Sequence, residues 1–412
     1  MDDRSLYQAI LGLNKPWEVQ AVELRLTEGE VRIRVEVNPD EVLQCPECGR
    51  PAPRYDQSSE RQWRHLDTCQ YRTIVTGRIP RVECAEHGVK QIAVKWAEDR
   101  SRFTALFEAF AIRVLRECSL SAAAELLGVS WEEIAGIQRR AVARGLARRV
   151  KEPVRVIGVD ETSFQKRHEY ITVVIDLERD RVLWVGDQRR ESSLRSYWDT
   201  LSAEELGSVE AIVMDMWDPY IAATRNAVPD GSAKLVFDRY HVMWHLNVAV
   251  DEVRKAEQRE LRRSDDDEAA KLLKGTRFLW LRGKATREAR HNRAIEQLRK
   301  AGLKVGRAWA IKESATRLWS FKRLSAAKAF FTRWYRWATH SRLPSVVKAA
   351  KTMKHYLYGI LAFTRHPYTN ARTEAVNAKI QEIKYRARGY RNRDNFRMAI
   401  LFHCGGLEMD PC

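Results

Sequence analysis

No stretch of this 412-residue chain reaches the roughly 18 apolar residues of a membrane span, and its opening MDDRSLYQAI is acidic and polar where an export leader is basic, then apolar. A cytoplasmic protein with no membrane partner is expected. The cysteines number only seven, an odd count scattered along the chain, so a disulfide framework is excluded and metal ligation is the better use for any close pair. No segment repeats itself and none is of low complexity, which excludes a solenoid. Acids fall short of bases, 55 against 72, giving a net charge of +17 and a pI near 9.6. That bias is typical of nucleic-acid binders, although a ribosomal or membrane-surface protein would share it. With 44% hydrophobic residues the chain can build cores, and its length calls for two or three domains.

What is present changes character along the chain. Glu18 to Val37 alternates apolar and polar about a Glu28-Gly29 turn, which reads as a β-hairpin, and YRTIVTGRIPRVEC supplies further strands. From Phe103 to Arg149 the period is helical, and LSAAAELLGVSWEEIAGIQRRAV reads as helix, Gly128 turn, then a helix capped by Ser130. Gln138 to Arg155 then carries seven bases and one acid. Arg139 and Arg140 are the candidate DNA-binding residues there, since a second helix so placed can enter a major groove. An ordinary helical hairpin is the rival reading.

Val154 to Gly186 holds three strands in close succession, an antiparallel meander. A helix near Ser192–Leu201, the strand VEAIVMD, a helix from about Pro219 with Asp218 as its cap, and the strand AKLVFD follow. Beyond His241 nearly everything is helical and basic, with Trp280, Trp309, Trp319, Trp334 and Trp337 in one block.

Three constellations carry chemistry. Cys45/Cys48 and Cys84/His87 are paired knuckles whose two-residue spacing lets both side chains of one tight turn meet a tetrahedral Zn²⁺. His65 and Cys69 lie between them as substitute ligands. Asp160 in VIGVDE and Asp215 in AIVMD each end a buried strand, and the meander followed by αβαβ lays those strands side by side, within reach of one metal. Asp238 also ends a strand, so it is the rival second aspartate. The stretch YTNARTEAVNAKIQEIKYRARGYRN, Tyr368 to Asn392, reads as one long helix with a core stripe of Val376, Ile380, Ile383 and Ala387. Its second stripe is Glu374, Asn377, Gln381, Lys384 and Arg388, one acid heading a row of phosphate and base ligands. Residues 371–397 hold eight bases against three acids. Hard carboxylate oxygens suit Mg²⁺ or Mn²⁺, whereas the cysteines suit Zn²⁺.

The ribbon with CPECG, the helix-turn-helix, GVDE, MDMWDPY, FDRYHVMWHLNVAVDEVRK and NARTEAVNAKIQEIKYRARGYRN together resemble a DDE transposase of bacterial insertion sequences, of the ISL-three family, over almost the whole chain. The resemblance implies an α/β fold: a ribonuclease-H-like catalytic core with a large helical insertion, preceded by a zinc ribbon and a helix-turn-helix. The segments expected are residues 1–98 for the ribbon module, 99–152 for the helix-turn-helix, 153–245 for the first part of the core, 246–365 for the insertion and 366–412 for the rest of the core. It implies Asp160, Asp215 and Glu374 as the catalytic, Mg²⁺-binding triad, and Asp238 and His241 in support. His87 departs from the second cysteine of many relatives but is an equally good zinc ligand.

The activity implied is metal-dependent cleavage and strand transfer on double-stranded DNA at the element's terminal inverted repeats. A homodimer is expected because two ends must be held together, and a place on the nucleoid follows. A transposase-derived DNA-binding regulator and a ribonuclease-H-like nuclease without strand transfer are the alternatives.

Overall fold

The computed structural model describes residues 2–165, 169–263, 271, 273–282, 288–300, 302–368 and 371–411. The chain forms two compact units, residues 1–150 with 407–412, and residues 151–406. The last six residues, expected to close the core, therefore belong with the first unit. Arg144 Nε there donates to the Met409 carbonyl at 2.9 Å.

In the first unit, α1 (Asp3–Ile10) precedes β1 (Trp17–Arg25) and β2 (Glu30–Val37), the expected hairpin. Strands β3 (Arg54–Gln57), β4 (Arg61–Arg64), β5 (Arg72–Gly77), β6 (Pro80–Cys84) and β7 (Gly88–Gln91) follow. They form two sheets, in the orders β1-β2-β5-β4 and β3-β6-β7. Trp96 packs edge to face on both Trp17 and Trp63, with ring centroids 4.8 and 5.2 Å away, and these three indoles anchor the core. Helices α2 (Ala105–Glu117), α3 (Leu120–Leu127) and α4 (Trp131–Arg148) complete the unit. Gly128 ends α3 at φ 61°, the left-handed conformation that only glycine adopts without cost, and Ser130 with Glu133 forms a capping box that starts α4.

The second unit is built on a mixed sheet in the order β10-β9-β8-β11-β12. Its strands are β8 (Val156–Gln165), β9 (Glu169–Asp176), β10 (Arg181–Asp187), β11 (Ala211–Met214) and β12 (Leu235–Phe237). The meander β8-β9-β10 is antiparallel, and β11 and β12 run parallel to β8. This is the ribonuclease-H-like arrangement expected, and β11 and β12 are buried throughout, as parallel strands covered on both faces must be. Helices α5 (Glu191–Trp198), α6 (Ala203–Ser208), α7 (Asp218–Ala227), α8 (Gly231–Lys234) and α9 (Arg239–Arg263) follow the meander. Asp218 is the first residue of α7 and not its cap, which is Trp217; its carboxylate instead accepts from the Tyr356 hydroxyl at 2.8 Å.

Helices Lys304–Ala315, Leu324–Thr339 and Pro344–His355 belong to the expected insertion, and Trp280, Trp319 and Trp334 are buried in its core while Trp337 is exposed. The chain then returns to the sheet as the glutamate helix, Ala371–Arg386, and ends the unit with helix Arg393–Cys404. The glutamate helix is shorter than the expected Tyr368–Asn392, and residues 369–370 lie outside the described residues. It stops because Arg388 turns left-handed at φ 55°, and the amides of Arg388 and Gly389 bond back to the carbonyls of Tyr385 and Lys384 at 2.9 and 2.8 Å. An arginine occupies the position where glycine usually signals a helix end, so the sequence hides it.

Candidate active site

Strand register brings the acids together. Ile157 pairs with Ile212 and Gly158 with Val213 between β8 and β11, while Val213 pairs with Val236 and Met214 with Phe237 between β11 and β12. Continuing each parallel ladder toward its C-terminal end puts Asp160, Asp215 and Asp238 in a row. The Asp238 amide extends the ladder by donating to the Met214 carbonyl at 3.2 Å.

Two overlapping clusters result. One oxygen from each of Asp160, Glu161 and Asp215 lies within 4.8 Å of the others, and donor atoms of Asp215, Asp238 and His241 are grouped as closely. Asp215 is shared and buried. His241 Nε2 sits 2.9 Å from Asp215 Oδ1. Asp238 caps α9, accepting from the amides of Tyr240 and His241 at 3.0 and 3.3 Å.

Crowded, buried carboxyls resist ionising. Burial first, then the charges of Asp215 and Glu161, push Asp160 up to about 7. Glu161 is also pushed up to about 7, by burial, against the opposing charge of Arg189 and with that of Asp215. Burial works against charging His241, but its bond to Asp215 and the charges of Asp215, Asp238 and Asp160 outweigh it and raise its pKa. Asp238 is raised by burial despite the nearby His241, with Asp215 and Glu374 adding to the rise.

The glutamate helix is fastened to β8 by a matched repeat. Four helical residues rise about 6 Å and two strand residues about 6.6 Å, so helix positions 373, 377 and 381 keep step with strand positions 158, 160 and 162. At the first step Gly158 leaves room for Thr373: a Cβ there would come 2.9 Å from Thr373 Oγ1 and 2.8 Å from Leu177 Cδ2. At the second, Asn377 Nδ2 donates to Asp160 Oδ2 at 2.7 Å. At the third, Gln381 Nε2 donates to Thr162 Oγ1, and one turn on Lys384 Nζ donates to the Ser163 carbonyl at 2.8 Å.

Asn377, Gln381 and Lys384, expected to hold a nucleic acid strand, are thus taken up by β8, because the polar side of this helix meets a polar strand end. Arg388 lies beyond the helix end and is exposed. Glu374 is exposed, one turn ahead of Asn377, and belongs to neither close cluster, though its charge reaches Asp238.

In the first unit, Cys45, Cys48, Cys84 and His87 converge with all four donor atoms within 4.8 Å of one another. Cys48 Sγ lies 3.7 Å from Cys84 Sγ, and His87 Nδ1 lies 3.9 Å from Cys45 Sγ and 3.6 Å from Cys84 Sγ. A tetrahedral Zn²⁺ with bonds of about 2.3 Å spaces its ligands by roughly 3.8 Å, so this set fits zinc. The bond from His87, with backbone amides, holds the Cys84 thiol down to about 6, well on the way to a ligand thiolate. Glu47 stands 3.6 Å from His87 Nε2, an orienting carboxylate behind the ligand. His65 and Cys69 stay outside: His65 Nδ1 bonds to Thr104 Oγ1 at 2.8 Å, and Cys69 is exposed.

On α4, Arg139 is exposed, but Arg140 reaches back to the buried Glu108 of α2 through Nε at 3.0 Å and through Nη2. Arg140 therefore holds two helices together, a role the basic run did not announce.

A family model described as transposase matches residues 157–400, the span that carries both acidic clusters and Glu374. The chain belongs to the ISL3 family of transposases. The zinc finger of transposases IS204/IS1001/IS1096/IS1165 matches residues 41–87, and the helix-turn-helix domain of transposase family ISL3 matches residues 92–142. The chain is 27% identical to the transposase for insertion sequence element IS1557 of Mycobacterium tuberculosis, over 94% of this chain and 92% of that one. It is 26% identical to the transposase for IS1001 of Bordetella parapertussis, over 97% and 98%.

No helix of this ISL3 transposase, among the described residues, is long and apolar enough to cross a membrane. Glu161, the neighbour of Asp160, is a site candidate that the strand-end pattern hides. Its signal lies in VIGVDE: two consecutive acids after an apolar strand segment present one to each face of the sheet.

Proposed function

We propose that the chain is the transposase of a bacterial insertion sequence, binding double-stranded DNA at the terminal inverted repeats and cleaving and joining strands by two-metal phosphoryl transfer. The observation that carries this is the convergence of Asp160 and Asp215 just beyond the last paired residues of the adjacent parallel strands β8 and β11, with the glutamate helix fastened beside them. The donors are hard oxygens, and Glu161 Oε2 and Asn377 Oδ1 are buried with no hydrogen-bond partner, a surplus of acceptors that suits Mg²⁺ or Mn²⁺. Asp160, Asp215 and Glu374 would hold the ions, with Asp238 and His241 in support. When bound, such ions supply Lewis acidity to an attacking water or DNA 3′-hydroxyl and to the leaving oxygen.

The chain's own residues prepare the site. Asn377 fixes one oxygen of Asp160, and the Glu161 amide donates to the other at 2.8 Å, so the carboxylate is held from both sides. His241 orients Asp215 and offsets part of the negative charge. Glu374, at the head of its helix, would join when DNA binds, and the exposed Arg139 and Arg388 would contact phosphates. The division of labour is that of residues 1–98 and 99–152 for recognition, and 153–245 with 366–406 for chemistry, around the helical segment 246–365. The ribbon would carry Zn²⁺, and the working form would be a homodimer on the nucleoid in the cytoplasm.

The test uses DNA bearing the inverted repeats that flank the gene, Mg²⁺, and the variants Asp160→Asn, Asp215→Asn and Glu374→Gln. At equal bound fraction, cleavage should fall about a thousand-fold or more in each. Wild-type cleavage by Asp160→Asn or Asp215→Asn would overturn the assignment of the site; wild-type cleavage by Glu374→Gln alone would remove that residue from it.

A further inference from the structure

We infer that Glu161 is a fourth carboxylate of the metal site, that its Oε2 ligates the divalent cation beside Asp160 and Asp215, and that this set binds the cation before Glu374 takes part. The inference rests on the divalent-metal reading above. Strand alternation turns Asp160 toward the glutamate helix and Glu161 to the opposite face, the side of α7. Their carboxyls nevertheless meet that of Asp215 within 4.8 Å, because the β8–β11 ladder stops at Gly158 and Val213 and β11 ends at Met214, so the edge of β8 beside Asp160 and Glu161 is open to Asp215.

The far side of Glu161 is held. Gln188 leaves β10 left-handed at φ 63° and delivers Arg189, whose Nη1 lies 3.0 Å from Glu161 Oε1. The Arg189 guanidinium lies 4.1 Å over the ring of Trp217, at the start of α7. An arginine paired with a carboxylate frequently engages both oxygens with its fork. Here Oε1 alone is engaged, and Oε2 is buried without a hydrogen bond. A buried, unpaired carboxylate oxygen beside two further carboxyls is costly unless a proton or a cation completes it, and a hard cation would serve all three carboxyls at once.

An octahedral Mg²⁺ or Mn²⁺ with bonds of about 2.1 Å spaces neighbouring ligand oxygens by roughly 3 Å and opposite ones by roughly 4.2 Å, so the three carboxyls need only a small contraction. Glu374 is exposed and outside this group, whereas Glu161 is already in place.

The experiment is a Mn²⁺ titration of the full-length protein without DNA, followed by the paramagnetic resonance of free Mn²⁺, with thermal unfolding of each variant as a check on folding. Glu161→Gln is expected to weaken Mn²⁺ binding about ten-fold or more, Asp160→Asn at least as much, and Glu374→Gln to leave it near wild type. Should Glu161→Gln unfold because Arg189 is left unpaired, the double variant Glu161→Gln/Arg189→Gln removes both charges, and the same loss is expected. Wild-type Mn²⁺ affinity in Glu161→Gln or the double variant, with affinity lost in Asp160→Asn, overturns the inference and makes Glu161 the structural partner of Arg189. Loss in Glu374→Gln equal to that in Glu161→Gln overturns the order of assembly. Unchanged binding in Asp160→Asn would instead defeat the metal reading on which the inference rests.

Discussion

The two candidate ligand sets of this transposase are assembled in opposite ways. The zinc set comes from two tight turns, each supplying two donors from four consecutive residues, so the geometry of each pair is local and visible as spacing. The acidic set comes from residues 160, 161, 215 and 238, and what brings them together is the pairing of β8 with β11 and of β11 with β12, with the helix that carries Glu374 laid across β8. A local set forms wherever its turns form. A set built by register exists only once the sheet is complete, so the two should fail under different perturbations.

The largest effect expected is at the ribbon. Replacing Cys45 and Cys48 by Ser removes two of four zinc ligands, and a structural zinc site contributes on the order of 10 kcal/mol to folding. Metal analysis should find about one zinc per wild-type chain and almost none in the variant, with the unfolding transition of the first unit lost or far lower. Mn²⁺ binding by the acids should persist. Full zinc retention would sink the ligand set, and loss of Mn²⁺ binding would show that the two sets do not fail separately.

Next in size is Gly158→Val, which strikes the register-built set and spares the local one. Thr373 and Leu177 already fill the space above Gly158, so a branched side chain must push the glutamate helix off β8. Displacement of about 1 Å at Asn377 and Glu374 is expected to lower cleavage about a hundred-fold, with zinc content unchanged. Cleavage at the wild-type rate would mean that the seat of this helix does not depend on the glycine.

The same contrast explains what could be read from the amino acids. Both cysteine knuckles, the capped α4 after Gly128 and the strand-end aspartates were legible, because spacing, capping and burial are written in neighbouring residues. Glu161 is hidden because the alternation of a strand singles out one face, and this acid lies on the other. The stripe of Asn377, Gln381 and Lys384 looked like a surface for phosphates because a helix's polar side reads alike whether it meets water or another polar element. Thr162 and Asp160, polar at alternate positions of β8, were its counterpart, but only the tertiary pairing joins them.

Arg139 and Arg140 carry the contrast down to two adjacent side chains, one facing solvent and one bound to a distant acid. The sequence presents them as a single basic patch. Arg140 neutralises Glu108, which is buried and also receives the Ser101 hydroxyl at 2.8 Å, so Arg140→Ala strands a charge in the interior. Breaking one side of such a pair costs about 3 kcal/mol, and here the partly exposed arginine and the nearby Arg144 bring the expectation nearer 1 to 2 kcal/mol. That variant should unfold at lower temperature whether or not DNA is present. Arg139→Ala removes only an exposed cation, so its unfolding temperature should hold while the slope of log affinity for DNA against log salt flattens by about one. Measuring both variants separates the two effects, which a double replacement would merge. If Arg139→Ala leaves the salt slope unchanged, this face of α4 does not meet phosphates, and the basic run would then be charge on a helix whose work is to pack against α2.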